Sequence, residues 1–420
     1  MIRSTRLLAI LGLMTALVAA QGDAPPVPGD WIIGDINAAA GAGGAYAISP
    51  TTGAVNTVAV GRPAGFFNWV IMANNNTDLA AAYSTAGRFA LVTPAGVITS
   101  GAVYPSSQNG LDVDQDGTYL ASTSGGSGLY RISADGMTAS LITTTPATLN
   151  SVCIDADTGD SILAVFAVLP GGMLLRRTSA GAVTTIAAGI GRLSSVDHCQ
   201  QDGNFYVTRF DPGEVLQVTP GGVVATVHTA LPGTGLFGAN GLKLDDETGN
   251  IVVAGLANPA ALPGRVGLLS RTGTIITAYT IAAPAGFNPT SAEIYGSRKV
   301  SGLGTFSPGS AYNVNFSFPA SPGASYIAAM SQSLRPGITL PDGRTINLAI
   351  DLLLLLSVGG IPGITTGFSG TLDANGKAVG TIALPPGFPP GIRVFISAVA
   401  VNGSMPSGLD TANSLGATSL

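Results

Sequence analysis

Residues 112–117 read Asp112-Val-Asp114-Gln-Asp116-Gly117. Oxygen ligands at alternate positions before a glycine open a calcium-binding loop. An EF-hand would need a bidentate Glu at its twelfth position, where this chain has Thr123. Elsewhere Asp112, His198, Lys243 and Glu293 supply two acids, an imidazole and an amine, the groups that move protons. The chain has only two cysteines, Cys153 and Cys199, and two histidines, His198 and His228. Their spacings match no zinc motif. No Ser-nucleophile elbow, zincin helix or phosphate-cradling loop is present.

What positions these groups is a repeat. NGLDVDQDGTYLAS (109–122) recurs as NSVCIDADTGDSILAVF (150–166) and NGLKLDDETGNIVVAGL (240–256), and more loosely at 68–84 and 195–210. Each copy is an apolar strand, a polar turn with Gly or Asn, and a second strand, which is a hairpin signal. A third strand and turn follow, as in GRFALVTPAGVITS (87–100) and GEVLQVTPGGVVATV (213–227). The second strands start at Trp31, Leu79, Tyr119, Ile162, Phe205 and Ile251, 40 to 48 residues apart. Four strands at that period predict a β-propeller of six blades. The first unit lacks its leading strand, and TSAEIYG (290–296) supplies one after the last unit. Pairing the two closes the ring and leaves no open sheet edge.

After about residue 300 the period is lost. Strands are expected at 311–318, 325–331, 345–350, 351–357, 367–372, 377–384 and 392–401, enough for a β-sandwich. The expected fold is therefore all-β: a six-bladed β-propeller over 21–297 and a β-sandwich over 298–420. The Gly-rich stretch 38–46 is read as a loop between strands.

Composition agrees. The chain has 420 residues, 58 of them Gly; 46% are hydrophobic, 10% charged, and the net charge is -5. A chain this apolar and weakly charged can bury a core, and it lacks the basic footprint of a nucleic-acid binder. Arg3 and Arg6, then LLAILGLMTALV (7–18), then Val18-Ala19-Ala20 form a secretory signal pattern, so residues 1–20 are expected to be removed. That run is too short to span a bilayer comfortably, and no spanning segment follows. The destination is extracellular or periplasmic, where cysteines can oxidise. Cys153 and Cys199 fall on neighbouring inner strands, so a disulfide between them and two buried thiols are both open.

The N-G-L-x-[VL]-D pattern followed by Gly, clearest at 109–117 and 240–249, resembles the propellers of the NHL and SMP-30/gluconolactonase-like superfamily. The tail, with PGITLPDGRTINL (336–348) and GTLDANGKAVGTIALP (370–385), resembles a β-sandwich module of bacterial secreted proteins. The first resemblance implies a divalent metal, calcium for example, over the channel, held from the residue that starts each inner strand. That column reads Asn68, Asn109, Asn150, Ser195, Asn240 and Thr290, with no carboxylate. Neutral amides hold hard cations weakly, so Asn109, Asn150 and Asn240 are candidate metal or polar-ligand groups, or simply caps for rim backbone. Three residues on lies a second column: Ile71, Asp112, Cys153, His198 (or Asp197), Lys243 and Glu293. Here Asp112, His198 and Glu293 are candidate acid/base groups and Lys243 a candidate ligand contact. Ion pairs among them are the alternative.

Two functions follow. One is a secreted, non-enzymatic binding or surface-interaction protein whose partner is a protein, glycan or small molecule. The other is a metal-dependent hydrolase or lyase of the gluconolactonase or streptogramin-lyase type. The missing rim carboxylates favour the first. The 112–117 acids are read mainly as turn formers, since Asp155 and Asp245 hold Asp114's place in sister repeats.

Overall fold

The structure is a computed structural model. It describes residues 24–420 apart from 36–42, 61–66, 84–86, 105–107, 124–127, 146, 167–170, 230–238, 256–263 and 282–286. The signal pattern at 1–20 and most of the Gly-rich stretch therefore lie outside the described residues. No helix among those described is long and apolar enough to cross a membrane.

Residues 31–294 form six four-stranded antiparallel sheets. The inner strands are Phe67–Met72, Gln108–Val113, Leu149–Ile154, Leu193–His198, Ala239–Leu244 and Pro289–Ile294. The sheets are numbered here as blades two to six in chain order. Blade one pairs its own Trp31–Asp35 with the late strand Pro289–Ile294, in the register Trp31 to Ile294 and Ile32 to Glu293. The ring closes as its sequence predicts: each inner strand packs beside the next, and the last packs beside the first.

Alternating apolar residues fill the space between blades. Val152, Leu163 and Leu120 pack between blades three and four, and Leu242, Val253 and Tyr206 between five and six. The hairpin after the inner strand of blades two to six turns back through a residue with positive φ. Gly117, Gly159, Gly203 and Gly249 take φ of 83, 79, 75 and 70°, and Asn76 replaces glycine at 58°. A side chain with Cβ strains that conformation, so the repeat keeps Gly or Asn there.

The tail folds as two sheets around one core. Val300–Leu303, Ala311–Ser317, Lys377–Ala383 and Thr365–Thr366 make one; Ser369–Thr371, Ser325–Ser331, Arg393–Val401, Leu409–Thr411 and Leu415–Thr418 make the other. Phe316, Phe368, Ile382, Ala328 and Ile396 meet between them. Two strand expectations change. Leu352–Ser357 is a short helix, because Asp351 accepts the Leu354 N–H at 2.8 Å and caps a run of good helix formers. Of 345–350 only Thr345–Ile346 pairs as strand.

Candidate functional site

Each inner strand begins at one end of the channel and turns at the other, so the two predicted columns sit at opposite ends. The strand-start column coincides with a β-bulge. Register shifts where Asn68, Asn109, Asn150, Ser194–Ser195, Asn240 and Thr290 stand. A bulge leaves its extra residue out of the ladder. The side chains then tie each blade to the next. Asn109 Nδ2 donates to Asn150 Oδ1 (2.8 Å), Asn150 Nδ2 to the Leu193 carbonyl (3.3 Å), Ser194 Oγ to Asn240 Oδ1 (3.2 Å) and Asn240 Nδ2 to the Pro289 carbonyl (3.2 Å). Asn68's side chain lies outside the described residues.

A cation over this rim would need amide oxygens. Those of Asn150 and Asn240 already accept hydrogen bonds from Asn109 and Ser194. The donor set therefore does not fit a divalent cation, which takes six or more oxygens, several of them charged.

The second column needs one correction. Asp197 pairs with Tyr206, the second residue of its neighbouring strand, as Asp112 pairs with Leu120, Lys243 with Val252 and Glu293 with Ile32. Asp197, not His198, therefore occupies the column. Blade five's bulge holds both Ser194 and Ser195, and Ser194 makes the cross-blade bond of the rim column, so counting three on from Ser195 lands one position late.

Asp112, Asp197 and Glu293 come from alternate blades and share one geometry. One oxygen accepts the N–H of the following residue: Val113 at 2.7 Å, His198 at 3.0 Å, Ile294 at 2.8 Å. The other reaches across to the next blade: Ile154 N at 2.7 Å, Leu244 N at 2.9 Å, Met72 N at 3.1 Å. Each acid is thus a staple between inner strands. Two also pair with cations, Arg298 to Asp112 at 3.2 Å and Lys243 to Asp197 at 3.1 Å. Burial alone would depress the Lys243 ammonium, but Asp197, Glu293, Asp246 and Asp112 outweigh it and hold its pKa above the usual lysine range. Burial pushes Asp246 up to about 7, against the pull of Lys243 and with the repulsion of Asp197 and Asp245.

These groups line a cavity of about 90 Å³. That holds a few waters but not an organic substrate, whose pockets run to about 300 Å³ or more. Its lid is the tail: Arg393 and Asn413–Gly416 complete the wall. The tail bonds the hairpin turn of every blade from two to six. Ser301 Oγ donates to the Asn74 carbonyl (2.7 Å), Tyr312 Oη to that of Gln115 (2.5 Å) and Arg393 Nη2 to that of Ala156 (2.9 Å). Ser414 and Gln200 exchange two bonds, and Thr345 N donates to the Glu247 carbonyl (2.8 Å).

His198 sits at this junction. Its Nδ1 accepts the Ala156 N–H at 3.2 Å, and Nε2 lies 3.5 Å from Asp155 Oδ1 and 3.4 Å from Asp157 Oδ2. Among the described residues these three side chains are the one group with metal-capable atoms close together. They do not fit a metal. Nδ1 accepting an N–H places the ring proton on Nε2, whereas a ligating imidazole donates from its other nitrogen. Both carboxylates are already paired, Asp155 with Arg176 at 2.9 Å and Asp157 with Arg335 of the tail at 2.5 Å. The Asp157 carboxyl is held down to about 2: burial would raise it, but His198 and Arg335 outweigh that. Sequence reading missed Asp155 and Asp157 as His198's partners; the signal was there, in the turn one blade before the histidine.

The opening acids also diverge. Asp112 faces the channel end, while Asp114 and Asp116 turn outward to Arg131 at 2.8 and 3.1 Å. Asp116 Oδ1 accepts the Thr118 N–H and hydroxyl. This is a salt-bridged hairpin turn, not a converging ligand set. Of the two readings left open for Cys153 and Cys199, the structure has the buried free thiols and not the disulfide. Cys153 packs between blades four and five with Phe205 and Val207, and Cys199 between five and six with Leu242 and Val253. His228 lies on an outer strand, with Nδ1 3.1 Å from the Gly273 carbonyl.

No family model matches the chain, and no curated protein matches it. Solved structures do. A chain of a nidogen–laminin complex superposes with a TM-score of 0.53 at 8% identity, covering 63% of this chain and 98% of that one. A protein of unknown function from Bacteroides caccae gives 0.50 at 13%, covering 64% and 98%. A streptogramin B lyase gives 0.44 at 14%, covering 64% and 88%. At such identities the likeness shows a shared fold and leaves activity open.

Proposed function

We propose that this propeller is a secreted, non-catalytic binding protein. Its free face is the end where the inner strands begin, and its tail covers the other. The observation that carries this is the fully hydrogen-bonded second column. All three of its carboxylates are bonded through both oxygens to backbone N–H groups, so these three acids are held as structural staples between strands. The signal pattern at 1–20 supports export. The partner is a protein, glycan or small molecule met by the rim that carries Asn109, Asn150 and Asn240. The resemblance to gluconolactonase-like propellers then extends to architecture, without their metal chemistry.

The test is thermal unfolding of the chain from Gln21 with EDTA, with added calcium and with neither, beside metal analysis and a lactone-hydrolysis screen. The expected result is one midpoint under all three conditions and no hydrolysis. A calcium site at a hundredfold excess over Kd would add about 2.7 kcal/mol, a shift easily read. Bound metal with a midpoint that falls on chelation, or turnover of any lactone, would replace this reading with the hydrolase one.

A further inference from the structure

The short helix Leu352–Ser357 docks through one face only. Leu354 and Ser357 are buried, and the Ser357 hydroxyl both donates to the Met330 carbonyl (3.0 Å) and accepts the Met330 N–H (2.7 Å). The opposite face is apolar and bare. Leu352, Leu355 and Leu356 are 71, 66 and 62% exposed, flanked by Ile350 at 69% and Val358 at 51%. Positions i, i+3 and i+4 on one face form the stripe a helix normally buries. Ile327 on the neighbouring strand extends it.

We propose that this patch is the self-association surface of the protein: two copies meet helix to helix across a twofold axis. Three features select a second copy. The segment 346–364 contains one charged residue, Asp351, so a copy of the patch meets no like charge. That carboxylate is already spent on the Leu354, Gln332 and Ser331 donors. The bare apolar area is on the order of 500 Å², at the top of what a monomer exposes. A stable interface takes on the order of 800 Å² from each partner, so in the dimer the residues around this stripe contribute the remainder. An anionic lipid surface fits less well. The segment has no Lys or Arg to seat on headgroups, and the chain's net charge is -5. A twofold contact is also closed, so it stops at a dimer.

The experiment is sedimentation velocity on the chain from Gln21 over a wide concentration range, with Leu355→Glu and Leu355→Cys variants. The wild type is expected to be a dimer. Leu355→Glu should weaken dimerisation at least tenfold, with a thermal midpoint equal to the wild type's at dilutions where both are monomeric, since the site is solvent-facing in the monomer. Leu355→Cys should give a reducible covalent dimer on mild oxidation, a readout independent of any folding defect. A wild type that stays monomeric throughout would overturn the proposal. So would a Leu355→Glu dimer of undiminished strength, or a monomer that co-floats with phosphatidylcholine vesicles through this patch.

Discussion

Replacing Lys299 by alanine should lower the unfolding free energy by about 3 to 5 kcal/mol, the cost of stranding buried charge when one partner of an ion pair is removed. Lys299 follows the ring-closing strand and stands where blade six meets the tail. Its ammonium donates to Glu247 (2.5 Å), Asp410 (2.7 Å) and the Thr411 carbonyl (2.8 Å), and the Asp410 side chain is 1% exposed. Burial alone would depress the Lys299 pKa, yet Glu247 and Asp410 raise it. Removing the cation leaves two carboxylates in a poorly hydrated junction, Glu247 with Arg344 at 3.1 Å and Asp410 with the Ser321 hydroxyl at 2.9 Å. Arginine should not restore the wild-type value, because a planar fork does not reproduce three donations from one nitrogen. The double change Lys299→Met with Asp410→Asn should recover much of the loss. Urea unfolding of the three variants measures this, and a loss under about 1 kcal/mol for Lys299→Ala would mean a solvated pair.

The second large effect is expected at Glu293. Glu293→Ala leaves the Met72 and Ile294 N–H groups without their acceptors, at about 1 to 3 kcal/mol for each buried donor. The strand concerned closes the ring, so the total should be about 2 to 4 kcal/mol. Glu293→Gln keeps one carbonyl oxygen and should lose about half as much. A catalytic role predicts the reverse pattern: no change in stability with either substitution, and complete loss of turnover with both. Equilibrium unfolding distinguishes them without knowledge of any substrate.

Much of the architecture was legible because hairpin chemistry repeats. The Gly or Asn turn and the alternation after it mark each second strand, and the orphan strand at 290–296 revealed the ring closure. The helix at 352–357 was not legible: a run of five leucines has no periodicity that separates a buried strand from a short helix, and the capping role of Asp351 shows only in three dimensions. At the site, the column of ionisable residues was legible but its meaning was not. Spacing placed Asp112, Lys243 and Glu293 in register, yet the two-residue bulge at Ser194–Ser195 put His198 in Asp197's place. That the tail folds back over this end lay beyond any repeat-based reading, because its contacts use single residues such as Arg335, Arg393 and Ser414 with no pattern in common. The thiols were left open for a related reason: adjacent strands were visible, but not which neighbouring blade each cysteine faces.

The central claim is that the ionisable column is sealed between propeller and tail. The chain carries its own reporters, since its only lysines are Lys243 in that cavity, Lys299 at the junction and Lys377 on the outer tail. The most direct measurement is timed acetylation of the native chain, with each lysine followed by peptide mass spectrometry. The account predicts rapid modification of Lys377 and the N-terminal amine, with Lys243 and Lys299 unmodified until the chain is unfolded. Acetylation of Lys243 at a rate comparable to that of Lys377 would show an open channel end and contradict the account.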